Sequence, residues 1–370
     1  MVSSVVVQPD GLIDRWEPVR QLFYHLAARG SFLGGQLVVR WRGEVVVDEA
    51  VGWTRPRHGA PVTPTTPFLT FSITKSLTSI CVHHLVERGL LDLDKPVADY
   101  WPAFGQKGKG RVTVRQVMLH QAGIPGRWYA LLVPLWLNWR GGTWYVARQR
   151  PTVRPGQSSA YHAFTTGFVL GELVRRVSGL SVKGYIKKHF WEPLGFEHTY
   201  FGLPRGLWGR AAELQRHPGG HWPAWRLFRA RMMRTKLFPA ANVHSTAREL
   251  AIFFEMLVQK GEYGGRRLLA AETVERATRL EYAGQDVILK RDVHWSPGFE
   301  IGGAKYIDGY RMGASGGRTT FGHFGFDTCM AWGDFAKEVV IAFNCNTLLS
   351  SRASEKRVQA LSEAVWAAVE

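Results

Sequence analysis

The stretch FSITKSLTSICVHHLVERGLLDLDKPVADYWP, residues 71–102, predicts a helix whose first turn carries a serine and a lysine. Apolar residues recur at helical spacing from Ser72 to Leu91, and Gly89 stands near the expected C-cap. Ser72-Ile73-Thr74-Lys75 is the only S-x-x-K sequence in the chain. This spacing places both side chains on one face of the helix, with the serine at the N-terminus of the helix.

This serine and lysine form a candidate nucleophile and base. A serine hydroxyl needs a nearby base to act as a nucleophile at neutral pH, and a lysine held neutral by burial can be that base. The helix N-terminus also favours negative charge that develops near the serine. The plainer alternative is an ordinary helix cap followed by a solvated lysine, since S-x-x-K arises often by chance. The assignment of Ser72 and Lys75 therefore depends on the rest of the chain.

The elements around this helix predict an α+β fold. A helix is expected at 15–29, a strand hairpin at 34–53, further helices at 164–177 and 246–257, a second hairpin at 326–346 and a last helix at 354–368. The order of strands, helices, strands and helix indicates a sheet assembled from both ends of the chain. We expect a sheet domain of residues 1–85 and 290–370, with a mostly helical domain of residues 86–289 covering the active site.

Two further motifs follow later in the chain, one at Tyr161 and one at residues 323–325. Tyr161 lies in a loop directly before the helix of RPGQSSAYHAFTTGFVLGELVRRVSG, residues 154–179. His323-Phe324-Gly325 leads into a predicted strand. With Ser72 and Lys75, these elements resemble the serine β-lactamase and penicillin-binding-protein superfamily, and most closely its family VIII carboxylesterases. Supporting stretches are TVRQVMLHQAGIP (113–125), EPLGFEHTYFG (192–202) and HSTARELAIF (244–253), so the resemblance runs from about residue 34 to the end.

The resemblance implies a β-lactamase/transpeptidase-like fold, with an antiparallel sheet flanked by helices, and a role for each motif. Ser72 would be the acylated nucleophile, Lys75 its general base, and Tyr161 the group that relays protons to and from the leaving group. The oxyanion hole would be formed by the backbone N–H groups of Ser72 and Phe326. His323 and Gly325 would belong to the substrate-binding strand. The implied activity is hydrolysis of a small-molecule ester.

Two departures from the family pattern favour esters over β-lactams. The tyrosine motif usually reads Y-x-N, but here it is Tyr161-His162-Ala163, which lacks the amide that β-lactams and peptides would contact. The third motif usually reads K-T-G, and a mostly neutral His323 anchors a carboxylate less well than lysine does. A β-lactamase or D-amino-acid peptidase on the same fold is the first alternative. A non-catalytic binding or membrane-associated protein on this fold is the second.

A competing nucleophile lies in Gly313-Ala314-Ser315-Gly316-Gly317, which fits the G-x-S-x-G nucleophile elbow. An elbow needs a helix after the serine, but glycines and β-branched residues follow here. It also needs an acid and then a histidine, whereas His323 is the only later histidine and lies eight residues on. We therefore interpret Ser315 as incidental.

The composition of the chain limits the cellular compartments and the partners that can be expected. Lys+Arg 47 against Asp+Glu 30 gives a net charge of +17, which suits acidic partners or simply a basic enzyme surface. Cys81, Cys329 and Cys345 form no C-x-x-C pair and sit in apolar contexts, as buried thiols in a reducing compartment do. No apolar run reaches the roughly 18 residues of a membrane span. The opening residues lack the basic start of a signal peptide. We expect a cytoplasmic protein.

The sequence contains few signals for a cofactor or a macromolecular partner. His83 and His84 are adjacent on a helix and point to different faces, and His217 and His221 lie in a loop with no nearby Cys or acid partner. No phosphate-binding or dinucleotide fingerprint occurs, so we expect no cofactor. No nucleic-acid module is recognised, and no nucleic-acid partner is expected. Two aromatic-rich stretches, 128–150 and 205–238, would overhang the active site. They suit either an apolar pocket and lid, with membrane contact through nearby arginines, or ordinary packing.

Overall fold

The structure, a computed structural model, describes residues 14–126, 138–306 and 308–370, with the side chains of 222–224 and 232 left out. The predicted extended start of the chain and residues 128–137 of the first aromatic stretch lie outside the described residues. Within the described residues the largest element is an eight-stranded antiparallel sheet, whose neighbouring strands are in turn residues 44–52, 34–41, 339–345, 329–334, 320–325, 300–301, 291–295 and 282–286.

The strands and helices are numbered here in chain order. The strands are β1 Gly34–Trp41, β2 Glu44–Gly52, β3 Phe68–Leu69, β4 Tyr200–Phe201, β5 Gln215–Arg216, β6 Val243–Ser245, β7 Glu262–Tyr263, β8 Arg266–Arg267, β9 Tyr282–Asp286, β10 Arg291–Trp295, β11 Glu300–Ile301, β12 Thr320–Gly325, β13 Cys329–Asp334, β14 Val339–Cys345 and β15 Thr347–Leu348. The helices are α1 Glu17–Ala28, α2 Ile73–Glu87, α3 Val97–Tyr100, α4 Val114–Met118, α5 Trp139–Arg148, α6 Thr165–Ser178, α7 Val182–Ile186, α8 Trp222–Arg229, α9 Arg231–Thr235, α10 Ala247–Val258, α11 Ala271–Thr278 and α12 Ser351–Val369.

The sheet is buried on both faces because its side chains alternate between two cores. In β14, Val340 and Ala342 face a large core that also contains α2, α6 and α10. Ile341 and Phe343 of the same strand face a second core, which is closed by the terminal helices α1 and α12. The sheet therefore lies between the two terminal helices on one side and the mostly helical region on the other.

The start of α2 is held from several directions, which fixes the place of Ser72. The short strand β3 pairs with β6 directly before the helix. Two residues of the helix bond to β6 or to the segment before it, since Thr78 Oγ1 donates to Pro239 O and Val243 N donates to Thr74 Oγ1. The first two turns of α2 are thereby fixed against residues more than 160 positions later in the chain.

The predicted α+β fold, with an antiparallel sheet from both chain ends and helices around it, is confirmed. The hairpins form at the expected places, with β1 ending at Trp41 and β13 ending at Asp334. The division into domains at residues 86 and 290 stays a prediction. The edge strand β9 precedes residue 290 and still joins the sheet, because it pairs with β10 in a hairpin.

Candidate active site

Ser72 sits directly before α2 but does not serve as its cap. Its side chain makes no capping hydrogen bond to the helix. The residue before it, Phe71, is held at φ 43°, a left-handed conformation that is rare for a bulky side chain. Such strained residues cluster at functional sites, where the surrounding structure holds them in place. The hydroxyl of Ser72 is therefore not engaged by the helix backbone and is available to other groups.

Lys75 is a buried neighbour of this hydroxyl. Its side chain is only 4% exposed, and Nζ lies 2.9 Å from both Ser72 Oγ and the carbonyl oxygen of Ala240. Burial lowers the pKa of Lys75 to about 7. A large fraction of Lys75 is therefore neutral near neutral pH and able to take a proton. The alternative of a capping serine with a solvated lysine does not fit this geometry.

Tyr161 completes a three-residue arrangement around the same oxygen. Its hydroxyl donates to Ser72 Oγ at 2.8 Å, and Lys75 Nζ lies 4.9 Å from the centre of its ring. Burial raises the pKa of Tyr161, while the hydrogen bond to Ser72 opposes this rise only in part. Tyr161 is therefore a neutral hydroxyl in the resting site. Of Lys75 and Tyr161, Lys75 is the better candidate for the base, because its pKa is lowered while the pKa of Tyr161 is raised.

The position of Tyr161 depends on residues that the sequence reasoning did not single out. The ring of Trp295 stacks on Tyr161 with centroids 5.9 Å apart, and the ring of His120 lies 4.6 Å away. His120 has φ 60°, and its Nδ1 accepts the backbone N–H of His162. Ser159 Oγ donates to Asp286 and accepts from Trp295 Nε1. His120 falls in a stretch that resembles the family, whereas nothing local marked Trp295.

The strand β12 brings the third motif to the cavity that Ser72 lines. His323 is buried, and burial lowers its pKa to about 4, so the ring is neutral near pH 7. A Cβ at Gly325 would lie 2.1 Å from Cys329 Sγ and 2.4 Å from the carbonyl oxygen of Thr70. Glycine at this position therefore lets β12 approach the segment that leads into Ser72.

Two residues that line the site have backbone N–H groups without an acceptor. In the described part of the chain, neither Ser72 N nor Phe326 N donates to an acceptor. Both residues line the same cavity. Phe326 is followed by Asp327 at φ 54°, so a left-handed residue adjoins each of the two groups. An oxyanion hole requires unpaired donors of this kind beside the nucleophile.

The cavity has a volume of about 240 Å³ and holds the predicted residues together with several others. Ser72, Tyr161, His323, Gly325 and Phe326 line it, while Lys75 lies behind Ser72. The remaining lining residues are Leu289, Arg291, Trp295, Glu300, Tyr306, Arg311, Phe324, Asp327 and Ser351. The arginines and acids of this set were not foreseen from the sequence.

Ser315 lies elsewhere, on the surface. Its hydroxyl donates to Glu370 Oε1 at the end of α12, at 2.9 Å. Turns and then the strand β12 follow it, rather than a helix. This is not the strand–turn–helix arrangement of a nucleophile elbow.

The aromatic and basic segment 205–238 lies beside the site. Phe228 packs on Phe71 with ring centroids 4.7 Å apart, and His221 packs on Phe326 at 5.5 Å. None of its described residues is among those that line the cavity. Arg231 stacks on Trp208, and Arg229 pairs with Glu213. These contacts engage two of its arginines within the chain.

A family model described as Beta-lactamase matches residues 19–364. The chain belongs to the beta-lactamase family. Within that family it is 31% identical to an esterase/beta-lactamase, LipL, of Mycobacterium tuberculosis, over 91% of this chain and 82% of that protein.

Solved structures extend the likeness over nearly the whole chain. A penicillin-binding-protein homologue from Caulobacter crescentus superposes with a TM-score of 0.86 at 30% identity, covering 99% of this chain and all of that one. A family VIII carboxylesterase superposes with a TM-score of 0.84 at 26% identity, covering 97% and 98% of the two chains. The predicted resemblance to this superfamily is confirmed.

The described residues show no candidate metal centre and no candidate membrane-spanning helix. They contain no group of three or more His, Cys, Asp and Glu side chains that could hold a metal ion. The helices described here include none that is both long enough and apolar enough to cross a membrane.

Proposed function

We propose that this beta-lactamase-family protein is a carboxylesterase that hydrolyses esters through an acyl-enzyme on Ser72. The observation that carries the proposal is the placement of Lys75 Nζ and Tyr161 Oη at 2.9 Å and 2.8 Å from Ser72 Oγ. A buried amine with a pKa of about 7 supplies the base that a serine nucleophile needs. Nothing else in the described cavity places a second hydroxyl or thiol nucleophile beside such a base.

In the proposed reaction the proton of Ser72 Oγ passes to Lys75 as the oxygen attacks the ester carbonyl. The negative charge that develops on the carbonyl oxygen is held by the backbone N–H groups of Ser72 and Phe326. The C–O bond to the alcohol then breaks, and the alcohol leaves with a proton delivered through Tyr161. A water molecule attacks the acyl-enzyme, gives its proton to the same residues and releases the acid and free Ser72.

The choice of esters over β-lactams has three supports. The relatives include a family VIII carboxylesterase and an esterase/beta-lactamase. The amide of the Y-x-N motif is replaced by Ala163. The neutral His323, with its pKa lowered to about 4 by burial, lacks the charge of the family's lysine.

We expect turnover of p-nitrophenyl esters of short to medium chain length, with kcat/KM at least about 10-fold above that for nitrocefin. The two substrates are compared on one enzyme preparation by the release of p-nitrophenol and by the colour change of nitrocefin. An S72A sample is the blank for each. Nitrocefin turnover that exceeds ester turnover would replace the ester assignment with the β-lactamase alternative.

Three further expectations remain part of the proposal. A cytoplasmic location is supported by Cys81, Cys329 and Cys345, which are buried free thiols. A sheet domain of residues 1–85 and 290–370, with a mostly helical domain of residues 86–289 covering the active site, is supported by the second core, whose buried members all lie in residues 16–47 and 312–369. Peripheral membrane contact would have to come from segment 205–238, where Arg229 and Arg231 already have partners within the chain.

A further inference from the structure

The segment 205–238 concentrates positive charge on the surface of the protein. It contains eight lysines and arginines and a single acid, Glu213. Seven of the eight basic side chains are exposed, and only Arg234 is partly buried. A surface with so large an excess of one sign attracts partners of the opposite charge.

Two of these arginines stack on tryptophans of the same segment. Arg231 Cζ lies 4.2 Å from the centre of the Trp208 ring, and Arg229 Cζ lies 5.3 Å from that of Trp225. Stacking uses the face of the guanidinium group and leaves its N–H edges for phosphate oxygens. Arg229 also pairs with Glu213, but an ion pair near the surface contributes little to stability, so a phosphate can replace it. Tryptophan together with arginine is typical of segments that lie in a membrane interface.

The basic segment borders the cavity that contains Ser72. Phe228, on α8, packs on Phe71 with ring centroids 4.7 Å apart, and Phe71 directly precedes Ser72. The ring of His221 lies 5.5 Å from that of Phe326, which lines the cavity and is 38% exposed. The charge of this segment is therefore carried beside the site rather than on a remote face.

The turn between β9 and β10 places exposed aliphatic side chains beside the same cavity. Val287 and Ile288 are 45% and 48% exposed, and the next residue, Leu289, lines the cavity. The turn is held by its backbone, since Val287 N donates to Ser159 O and Asp286 Oδ1 accepts the N–H groups of Ile288 and Leu289. Two adjacent branched aliphatic side chains held in water gain free energy when they enter an apolar medium.

From this arrangement we propose that the region around the cavity docks on an anionic phospholipid bilayer. Segment 205–238 binds the lipid phosphates, and Val287 and Ile288 enter the interface between headgroups and acyl chains. The aliphatic pair favours a bilayer over a nucleic acid, because unpaired bases are bound by stacking on aromatic rings. Docking in this way brings the cavity of Ser72 to the lipid surface. The inference goes beyond the proposed esterase function and does not depend on it, since docking requires no turnover.

Binding to vesicles tests the proposal. Wild-type protein is sedimented with vesicles of phosphatidylcholine that contain about 30% phosphatidylglycerol, and separately with vesicles of phosphatidylcholine alone. At about 100 mM salt we expect an apparent affinity at least about 10-fold higher for the anionic vesicles. This affinity should fall as the salt concentration is raised, because added ions screen the charges of exposed arginines and lipids.

Two variants separate the contributions of charge and of apolar contact. R226Q/R229Q/R231Q should weaken binding to the anionic vesicles by roughly 100-fold, since each basic residue near an anionic lipid surface contributes a factor of about five. V287S/I288S should weaken it by roughly 5-fold to 20-fold and leave its salt dependence unchanged, because no charge is altered.

The matched control for charge is K183Q/K187Q/K188Q, which removes three charges from exposed lysines in or directly after α7. Tyr185 of α7 hydrogen-bonds to His84 Nδ1 near the end of α2, at 2.9 Å. His84 lies about 18 Å from Ser72 along the helix axis. This variant should bind the anionic vesicles within about 3-fold of wild type.

Three outcomes would overturn the inference. Wild-type protein could bind the two kinds of vesicle equally, or K183Q/K187Q/K188Q could lose as much affinity as R226Q/R229Q/R231Q, which would make net charge rather than this face responsible. Wild-type protein could also bind duplex DNA more tightly than anionic vesicles, with no effect of V287S/I288S on either. A thermal melt shows which variants fold, and the two binding variants alter separate segments, so either one suffices. S72A should bind vesicles as wild type does, so failure of the esterase proposal would leave these results unchanged.

Discussion

An S72A variant is expected to hydrolyse p-nitrophenyl esters with kcat/KM lowered by roughly 10⁴-fold or more. In the proposed reaction Ser72 Oγ forms the bond to the acyl group, and no neighbouring residue can form that bond in its place. Any activity that remains would come from the oxyanion donors and from substrate binding alone. Initial rates of p-nitrophenol release at several substrate concentrations measure the effect.

The matched control is S315A. Ser315 is exposed and bonded to Glu370, outside the cavity, so this variant should stay within about 2-fold of wild type. A thermal melt of each variant shows whether the fold is retained. Loss of activity in S315A together with retention in S72A would invert the assignment of the nucleophile.

Replacing Lys75 by methionine should lower kcat/KM by roughly 10³-fold to 10⁴-fold, at the upper range of general-base catalysis. Methionine fills the buried space but cannot take the proton of Ser72. K75R should be equally inactive, because arginine stays protonated and is not a base at neutral pH. K183M, at an exposed lysine, is the control and should remain within about 2-fold of wild type.

The pH dependence of kcat/KM in the wild-type enzyme is a second test of Lys75 as the general base. The pKa of Lys75 is about 7, and the neutral amine is the active form. Ester kcat/KM should therefore fall about tenfold per pH unit below that pKa and level off above it. A K75M variant that kept both the rate and this pH dependence would show that another group is the base.

The sequence was most informative where the chemistry is local. Ser72 and Lys75 lie three residues apart, and helical geometry alone brings their side chains to one face. Tyr161 and His323 could be placed in the site only through the family resemblance, since no local pattern relates them to a serine 89 and 251 residues earlier. Their roles remain predictions, but the structure brings both residues to the cavity that contains Ser72.

The parts that sequence reasoning missed depend on long-range packing. Trp295 reaches Tyr161 because the β9–β10 hairpin extends the sheet past its expected edge. Arg291 and Arg311 meet across one tyrosine from two separate segments of the chain. Hydrophobic periodicity describes one helix or strand at a time and carries no information on contacts between distant segments of the chain. Ser315 shows that a short motif alone is a poor guide, because its G-x-S-x-G sequence occurs here without the strand–turn–helix arrangement of a nucleophile elbow.

The central claim is that Ser72 is the residue acylated, and covalent labelling tests it most directly. The protein is treated with a fluorophosphonate probe, its intact mass is measured, and the adduct is located by peptide mapping. The account predicts one adduct, on Ser72, in wild type and in S315A, and none in S72A. An adduct on Ser315, or one that persists in S72A, would contradict the account, as would ester turnover by a protein whose Ser72 the probe does not label.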